Sequence, residues 1–273
     1  MSTYRTAFTY VNESIGGSAN AMVKSAERAI DILETLADVP QGLSHADLAD
    51  RLAIPRSSLT GLLDVLTARN FVEWDEARRR YMAGFAVLRL GRSYLGRLDL
   101  VQCAQPLLTR LSEDIGEACA LTVRRENMIV VVAKVDDPNL YRPSLSLQLG
   151  HSGPLYASAT GKAMLAAEGR SAIADYIGFL DTVPDDPRRK LDVTLLRTDL
   201  EIAVQTGFGW SRGEMFHDIV AVGVAVHGST GEVVAGISVS LPHDRDRPKH
   251  LAMIQRALRD CALTVSAKMG AAA

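Results

Sequence analysis

From position 23 apolar residues recur at three- and four-residue steps. Val23, Ala26, Ala29, Ile30, Leu33 and Leu36 form one helical face, closed by Pro40 and Gly42. A second, short helix opens at Ser44, which can cap free backbone N–H groups with Asp47 three residues on. Leu48, Ala49 and Leu52 make its inner face, and it breaks at Ala53-Ile54-Pro55. A third helix starts at Arg56 or Ser57 and carries Leu59, Leu62, Leu63 and Leu66 as its buried stripe. The residues 71–74 and 79–82 then read as two strands around a turn at 75–78, a hairpin tipped by Arg78, Arg79 and Arg80. A helical pattern of Phe85, Val87, Leu88, Leu90, Leu95 and Leu98 follows.

From Leu100 the pattern becomes α+β. Helices are predicted at Val101–Ile115, with Leu107, Leu108 and Leu111 inside, and at Ala157–Ala167, Val193–Gln205 and Arg247–Lys268. Strands are predicted at Ala118–Arg125, Met128–Val135, Leu145–Leu149, Ile219–His227 and Val233–Leu241. The fold class is therefore α+β: an N-terminal winged helix-turn-helix, a linker helix and a C-terminal GAF-like α/β domain. The expected division is a polar N-terminal arm at residues 1–21, a winged-helix domain at 22–84, a linker helix at 85–98 and a ligand-binding domain at 99–273. Met22 stands directly before the first periodic segment as an alternative start.

In a helix-turn-helix the second helix of the pair enters the DNA major groove N-terminus first. Arg56, Ser57, Ser58 and Thr60 crowd that turn here. They are small or cationic, suited to phosphates and base edges. With Ser44 and the arginines at 78–80 they are the candidate DNA-binding residues.

The block from Val23 to Leu33, with Leu48-Ala49, Pro55–Leu59, Leu62–Leu66 and Tyr81 followed by Gly84, resembles the IclR family of bacterial transcriptional regulators. The resemblance continues through 150–166, Gly207-Phe208-Gly209 and 236–242. It implies a linker helix that pairs with its twin, and a homodimer or a dimer of dimers on a pseudo-palindromic double-stranded DNA operator. It also implies a small-molecule effector, an organic acid or aromatic compound, controlling a catabolic operon. By resemblance the amides near Ala159 and Thr160 hold the effector's carboxylate, and a helix N-terminus suits an anion. Ser238 and Ser240 alternate with Ile237 and Val239, so both hydroxyls face one side of a strand. Several positions depart from the family pattern: Gly61 stands for a frequent Arg, Ser211 for Asp and Ala221 for Cys. Glu214 keeps one of a usual acidic pair, and Asp218 replaces a Gly. Tyr156 joins the effector candidates, with His151 and Met164 as weaker ones.

Composition constrains these readings. The 273 residues are 47% hydrophobic and 23% charged, enough apolar matter for about two domains. Three scattered cysteines, Cys103, Cys119 and Cys261, lack any C-x-x-C pair and read as buried thiols. No signal peptide and no membrane-length apolar run occur, so a cytoplasmic location is expected. Thr160-Gly161-Lys162 lacks the spacing of a phosphate loop, and no Gly-x-Ser-x-Gly elbow is present. The histidines have no zinc-ligand spacing, and His217 and Asp218 are expected to point apart. No cofactor, no metal and no catalysis are expected. The rival class is a metabolite-binding protein or enzyme whose winged helix makes protein contacts.

The formal charge of −2 (30 Lys and Arg, 32 Asp and Glu) looks unfavourable for DNA, but its distribution is uneven. Residues 78–97 hold six arginines and no acid, so the basic charge is concentrated at the wing and linker.

Overall fold

A computed structural model describes residues 23–95, 99–137, 148–183 and 191–271, with backbone alone at 91–95 and 99. The expected arm at 1–21, Met22, the linker end at 96–98 and positions 145–147 of the expected Leu145–Leu149 strand lie outside the described residues. The chain divides into two compact units at Leu98/Asp99.

The first unit runs α1 (Lys24–Ala37), α2 (His45–Leu52), α3 (Arg56–Ala68), β1 (Val72–Asp75), β2 (Arg80–Ala83) and α4 (Phe85–Leu95). Ile32, Leu36, Leu48, Leu59, Leu63 and Val72 meet in its core. The inner face of α1 differs from expectation. Ile32 and Leu36 are buried one turn apart, while Val23 and Ile30 are more than half exposed. Leu62 is half-buried at the edge of the stripe. At α2 the Ser44 hydroxyl accepts from the Asp47 amide, and the Asp47 carboxylate accepts from the Ser44 amide, a reciprocal cap. Ala53, in the left-handed region, ends α2 and turns the chain into α3. Leu43 exchanges backbone hydrogen bonds with Tyr81, tying the wing hairpin to the helices.

The second unit is built on a six-stranded antiparallel sheet of order β5-β4-β3-β8-β7-β6. The strands are β3 (Ala118–Arg125), β4 (Met128–Val135), β5 (Ser152–Pro154), β6 (Gly209–Arg212), β7 (Ile219–His227) and β8 (Val233–Pro242). α5 (Asp99–Ile115) and α9 (Pro248–Lys268) pack on one face. On the other, α6 (Ala159–Glu168) lies on the sheet and is backed by α7 (Arg170–Thr182) and α8 (Val193–Thr206). In α5, Leu108 and Leu111 are buried and Leu107 half-buried. Leu149 lies in a turn; the third strand comes instead at Ser152–Pro154. The hydrophobic pattern predicts neither α7 nor β6. The expected Ala157–Ala167 helix begins two residues later, because Leu155–Ala157 form a 3-10 turn and the Ser158 hydroxyl caps the Gly161 amide. Burial pushes the Cys119 thiol up and the Cys261 thiol to about 11; Cys103 is half-buried.

The two sheet faces differ in side-chain size. Toward α5 and α9 point large residues such as Val220, Val222, Val224, Ile237, Val239 and Leu241. Toward α6 the same strands place Ala221, Gly223, Gly236, Ser238 and Ser240, with Gly209 and Ser211 on β6. A β-carbon on Gly223 would lie 2.7 Å from both the Ala159 carbonyl carbon and the Thr160 nitrogen. On Gly209 it would meet the Ala159 carbonyl oxygen, and on Gly236 the Thr160 β-carbon at 2.7 Å. These three glycines let the first turn of α6 rest directly on the sheet.

Candidate effector pocket and DNA-binding face

Where α6 starts, the small sheet face opens a cavity. Its free space, counted out to the open mouth, is about 400 Å³. The lining comes from Thr122, Ile129, Ala157, Ser158, Ala159, Thr160, Ser211, Met215, Phe216, Ile219, Ala221, Ser238 and Ser240, none of them charged. Six expected positions meet here: Ala159, Thr160, Ser211, Ala221, Ser238 and Ser240. The seventh, Tyr156, does not line it. Tyr156 packs half-buried in the α7–α8 core, and its amide donates to the Tyr176 hydroxyl at 3.0 Å. Met164 is core, and the His151 ring sits 5.7 Å from that of Phe216.

The polar groups of the cavity fall into two sets. Thr122, Thr160 and Ser158 hydrogen-bond one another through their hydroxyls, at 2.8 Å and 3.0 Å. Ser211, Ser238 and Ser240 are only 5%, 5% and 8% exposed, yet their hydroxyls meet no protein partner among the described residues. Their oxygens open onto the cavity, where they can hydrogen-bond whatever fills it. The Ala159 and Thr160 amides likewise donate to no partner among the described residues, since Ser158 caps Gly161 and the Ser158 carbonyl takes Lys162. Two such amides at the positive end of α6 have the chemistry to accept an anion.

Over the cavity lies the 213–218 loop carrying Met215 and Phe216. Glu214 anchors it: one carboxylate oxygen accepts the Arg212 amide, the other the Lys162 ammonium at 2.6 Å. Lys162 is fully buried and also contacts Asp199 at 2.5 Å. A buried ammonium needs such partners. That explains the lysine of the Thr-Gly-Lys run without a phosphate. His217 and Asp218 do not point apart as expected; they sit in the turn closing this loop, where their side chains meet at 2.8 Å. Sequence reasoning missed Thr122, Ile129, Ala157, Ser158, Met215, Phe216 and Ile219. Thr122 was recoverable, since it sits on the small face of β3 in register with Gly236.

In the first unit Arg56, Ser57, Ser58 and Thr60 all lie on the exposed side of the α3 N-terminal turn. The Thr60 hydroxyl donates to the Arg56 carbonyl and lies 3.0 Å from His45 Nε2, which fixes α3 against α2. Gly61 is exposed, and a β-carbon added to it would meet nothing within 4 Å. Ser44 is committed to its cap. The three wing arginines differ. Arg78 pairs with Asp75, and Arg80 lies in β2 rather than at the tip, donating to the Gly42 carbonyl at 2.8 Å. Arg79, in the left-handed region at the turn, is exposed and unpaired among the described residues. None of the described helices is long and apolar enough to cross a membrane.

Comparison with known proteins adds to this geometry. Residues 25–76 match the IclR helix-turn-helix domain family, and residues 92–267 match that of the bacterial transcriptional regulator IclR C-terminal domain. The HTH-type transcriptional repressor AllR of Escherichia coli K12 is 28% identical over 244 residues, 89% of each chain. The crystal structure of the Thermotoga maritima IclR superposes with a TM-score of 0.74 at 23% identity, over 90% of this chain and 99% of that one. An IclR homolog of Microbacterium hydrocarbonoxydans, solved in complex with 4-hydroxybenzoate, gives 0.71 at 20% identity, over 90% and 98%.

Proposed function

The chain belongs to the IclR family of bacterial transcriptional regulators, and on that premise we propose that it is a cytoplasmic regulator controlling a catabolic operon in response to a small, aromatic carboxylate. Its relatives are ligand-responsive regulators, not enzymes. The observation that carries the effector reading is that two α6 amides and three seryl hydroxyls, all without a protein partner among the described residues, open onto one cavity. Ile129, Met215, Phe216 and Ile219 supply an apolar wall that suits a ring. The 4-hydroxybenzoate in the Microbacterium homolog supports an aromatic acid.

The proposed domains are residues 22–84 for DNA, 85–98 for the linker and 99–273 for the effector, behind an arm at 1–21. Two copies, or a dimer of dimers, present two α3 helices to a pseudo-palindromic operator. Phe85, Leu88 and Leu90 on α4 are more than half exposed, as a helix–helix seam requires. Arg56, Ser57, Ser58 and Thr60 read the groove, and Arg79 grips the backbone. A salt-titrated gel shift on the DNA upstream of the chain's own coding sequence tests this. Specific binding altered by an aromatic carboxylate is expected; affinity no better than for random DNA refutes it.

A further inference from the structure

The outer face of α9 carries a seam whose spacing reads the same in both directions. The helix rests on the sheet through Ile254, Leu258, Cys261, Ala262 and Val265, all buried. On the opposite side Lys249, Met253, Arg256, Asp260, Leu263 and Ala267 are exposed. They follow one another at steps of four, three, four, three and four residues, the period of a helix–helix seam. Met253 and Leu263 are 46% and 63% exposed, so a helix laid on this face would take two large apolar side chains out of water.

The chemistry along the seam fits a second copy of the same helix. Laid antiparallel and centred on position 258, Met253 meets the partner's Leu263 and Arg256 meets the partner's Asp260, each contact occurring twice. Two cation–carboxylate pairs then lie at the centre, with a Met–Leu contact on either side. Lys249 reaches the last turn of the other helix, where the helix dipole suits a cation. A parallel pairing would instead set like charge against like, so the charges select the antiparallel, isologous arrangement. Six residues a side fall well short of the roughly 20–30 of a standard interface, and exposed ion pairs are individually weak. The contact therefore suits copies that also associate elsewhere, and it rests here on the α4 seam proposed above. Two α4-linked dimers can meet through two α9 contacts at once, and such bivalence strengthens contacts that are weak singly.

We propose that the outer face of α9 is an isologous interface between copies of this chain and joins two α4-linked dimers, with Arg256 and Asp260 setting its direction and Met253 and Leu263 supplying its apolar contact.

Sedimentation equilibrium of the full chain tests it, with Arg256→Asp, Asp260→Arg and the exchanged variant Arg256→Asp/Asp260→Arg. Wild type is expected to pass from dimer to tetramer as its concentration rises. Each single reversal places four like charges in each contact and should weaken that step at least about tenfold, since a tetramer holds four such pairs. The exchange restores opposite charges across the seam and should return the step to within about threefold of wild type. Leu88→Glu on α4 separates the two readings. A wild-type dimer that Leu88→Glu splits and Arg256→Asp does not overturns the proposal and leaves the α4 seam standing. A dimer that Arg256→Asp alone splits upholds the α9 contact and overturns the α4 seam, and a wild-type monomer overturns both. Single reversals that leave association unchanged, or an exchange that fails to restore it, overturn the pairing. A melting temperature that the reversals lower equally at every concentration gives the face to another segment of the same chain and overturns it too.

Discussion

Gly223→Ala isolates the seat of α6. Gly223 is not in the left-handed region, so the added methyl introduces no backbone strain and acts through contact alone. Its β-carbon would lie 2.7 Å from two backbone atoms of the Ala159–Thr160 peptide, where ordinary contact begins at 3.4 Å. The helix turn must therefore rise by about 0.7 Å, and backbone lacks the freedom of a side-chain tip. Overpacking of this kind costs about 1–3 kcal/mol. At about 2–4 °C per kcal/mol for a unit of this size, calorimetry should show the melting temperature falling by roughly 2–12 °C. The Ala159 and Thr160 amides move with the turn. Loss of a hydrogen bond to a charged group, about 1.5–3 kcal/mol, weakens carboxylate binding roughly 10- to 150-fold. Gly178→Ala is the matched control: mid-helix in α7, exposed, with nothing within 4 Å, it should gain about 0.5–1 kcal/mol. A Gly223→Ala protein that melts within a degree of wild type and keeps its carboxylate affinity would show that α6 is not seated by this glycine.

Ser44→Ala should cost the first unit about 0.5–2 kcal/mol at pH 7, read by urea unfolding. Hydrogen bonds from the Ser44 side chain and amide hold the Asp47 carboxyl below its usual 3.8. The carboxylate's share of the cap is therefore complete above pH 3.8 and is lost as pH falls through the lowered value, so the gap between wild type and variant should narrow in acid to what the bond from the Asp47 amide to the Ser44 hydroxyl supplies; a pH-independent gap contradicts this. Among the wing arginines, Arg79→Ala should reduce the salt slope of operator binding by about one, whereas Arg78→Ala and Arg80→Ala, whose guanidinium groups already have protein partners, should change it less. Equal slopes for all three variants would remove Arg79 from its assigned role. Lys162→Met leaves Asp199 and Glu214 without their shared cation; both carboxylates keep some exposure, which places the loss at the low end, about 3 kcal/mol. Thermal unfolding should register it together with faster amide exchange at Arg212, and a loss under about 1 kcal/mol would mean that the ion cluster does not hold the loop.

Elements with one large and one polar or small face were legible in the sequence. β3, β4, β7 and β8 are legible to within a residue of their ends: Val and Ile alternate with smaller residues along β7 and β8, and Glu126-Asn127 marks the turn between the apolar runs of β3 and β4. The reciprocal cap at Ser44 and the stop at Ala53 were legible for the same local reason. β6 was not, being four residues long with a glycine at its start. Nor was α7, where Gly169 and Gly178 flank or interrupt a weak apolar spacing. The 213–218 loop has no period at all; its position is set by Lys162, 52 residues away in sequence. A lysine inside the apolar run Ala163-Met164-Leu165 was itself a signal, since a buried ammonium demands acidic partners, and Glu214 was already in view.

Of the candidate effector site, Ser238 and Ser240 were legible from alternation and the other positions from the resemblance, while its sheet face breaks the preferences that make strands recognisable. At positions 209, 211, 221, 223, 236, 238 and 240 a bulky β-branched residue would be the better strand former, and the opposite faces of β7 and β8 use such residues. Glycine at three of these positions admits a helix terminus against the sheet, and serine at three more leaves hydroxyls over free space. Each substitution forgoes packing that the other face retains. Departures concentrated on one face, in register across three strands, point to a site where space and hydrogen-bonding capacity matter more than stability. The register is what brings a set of individually weak small residues together around one cavity.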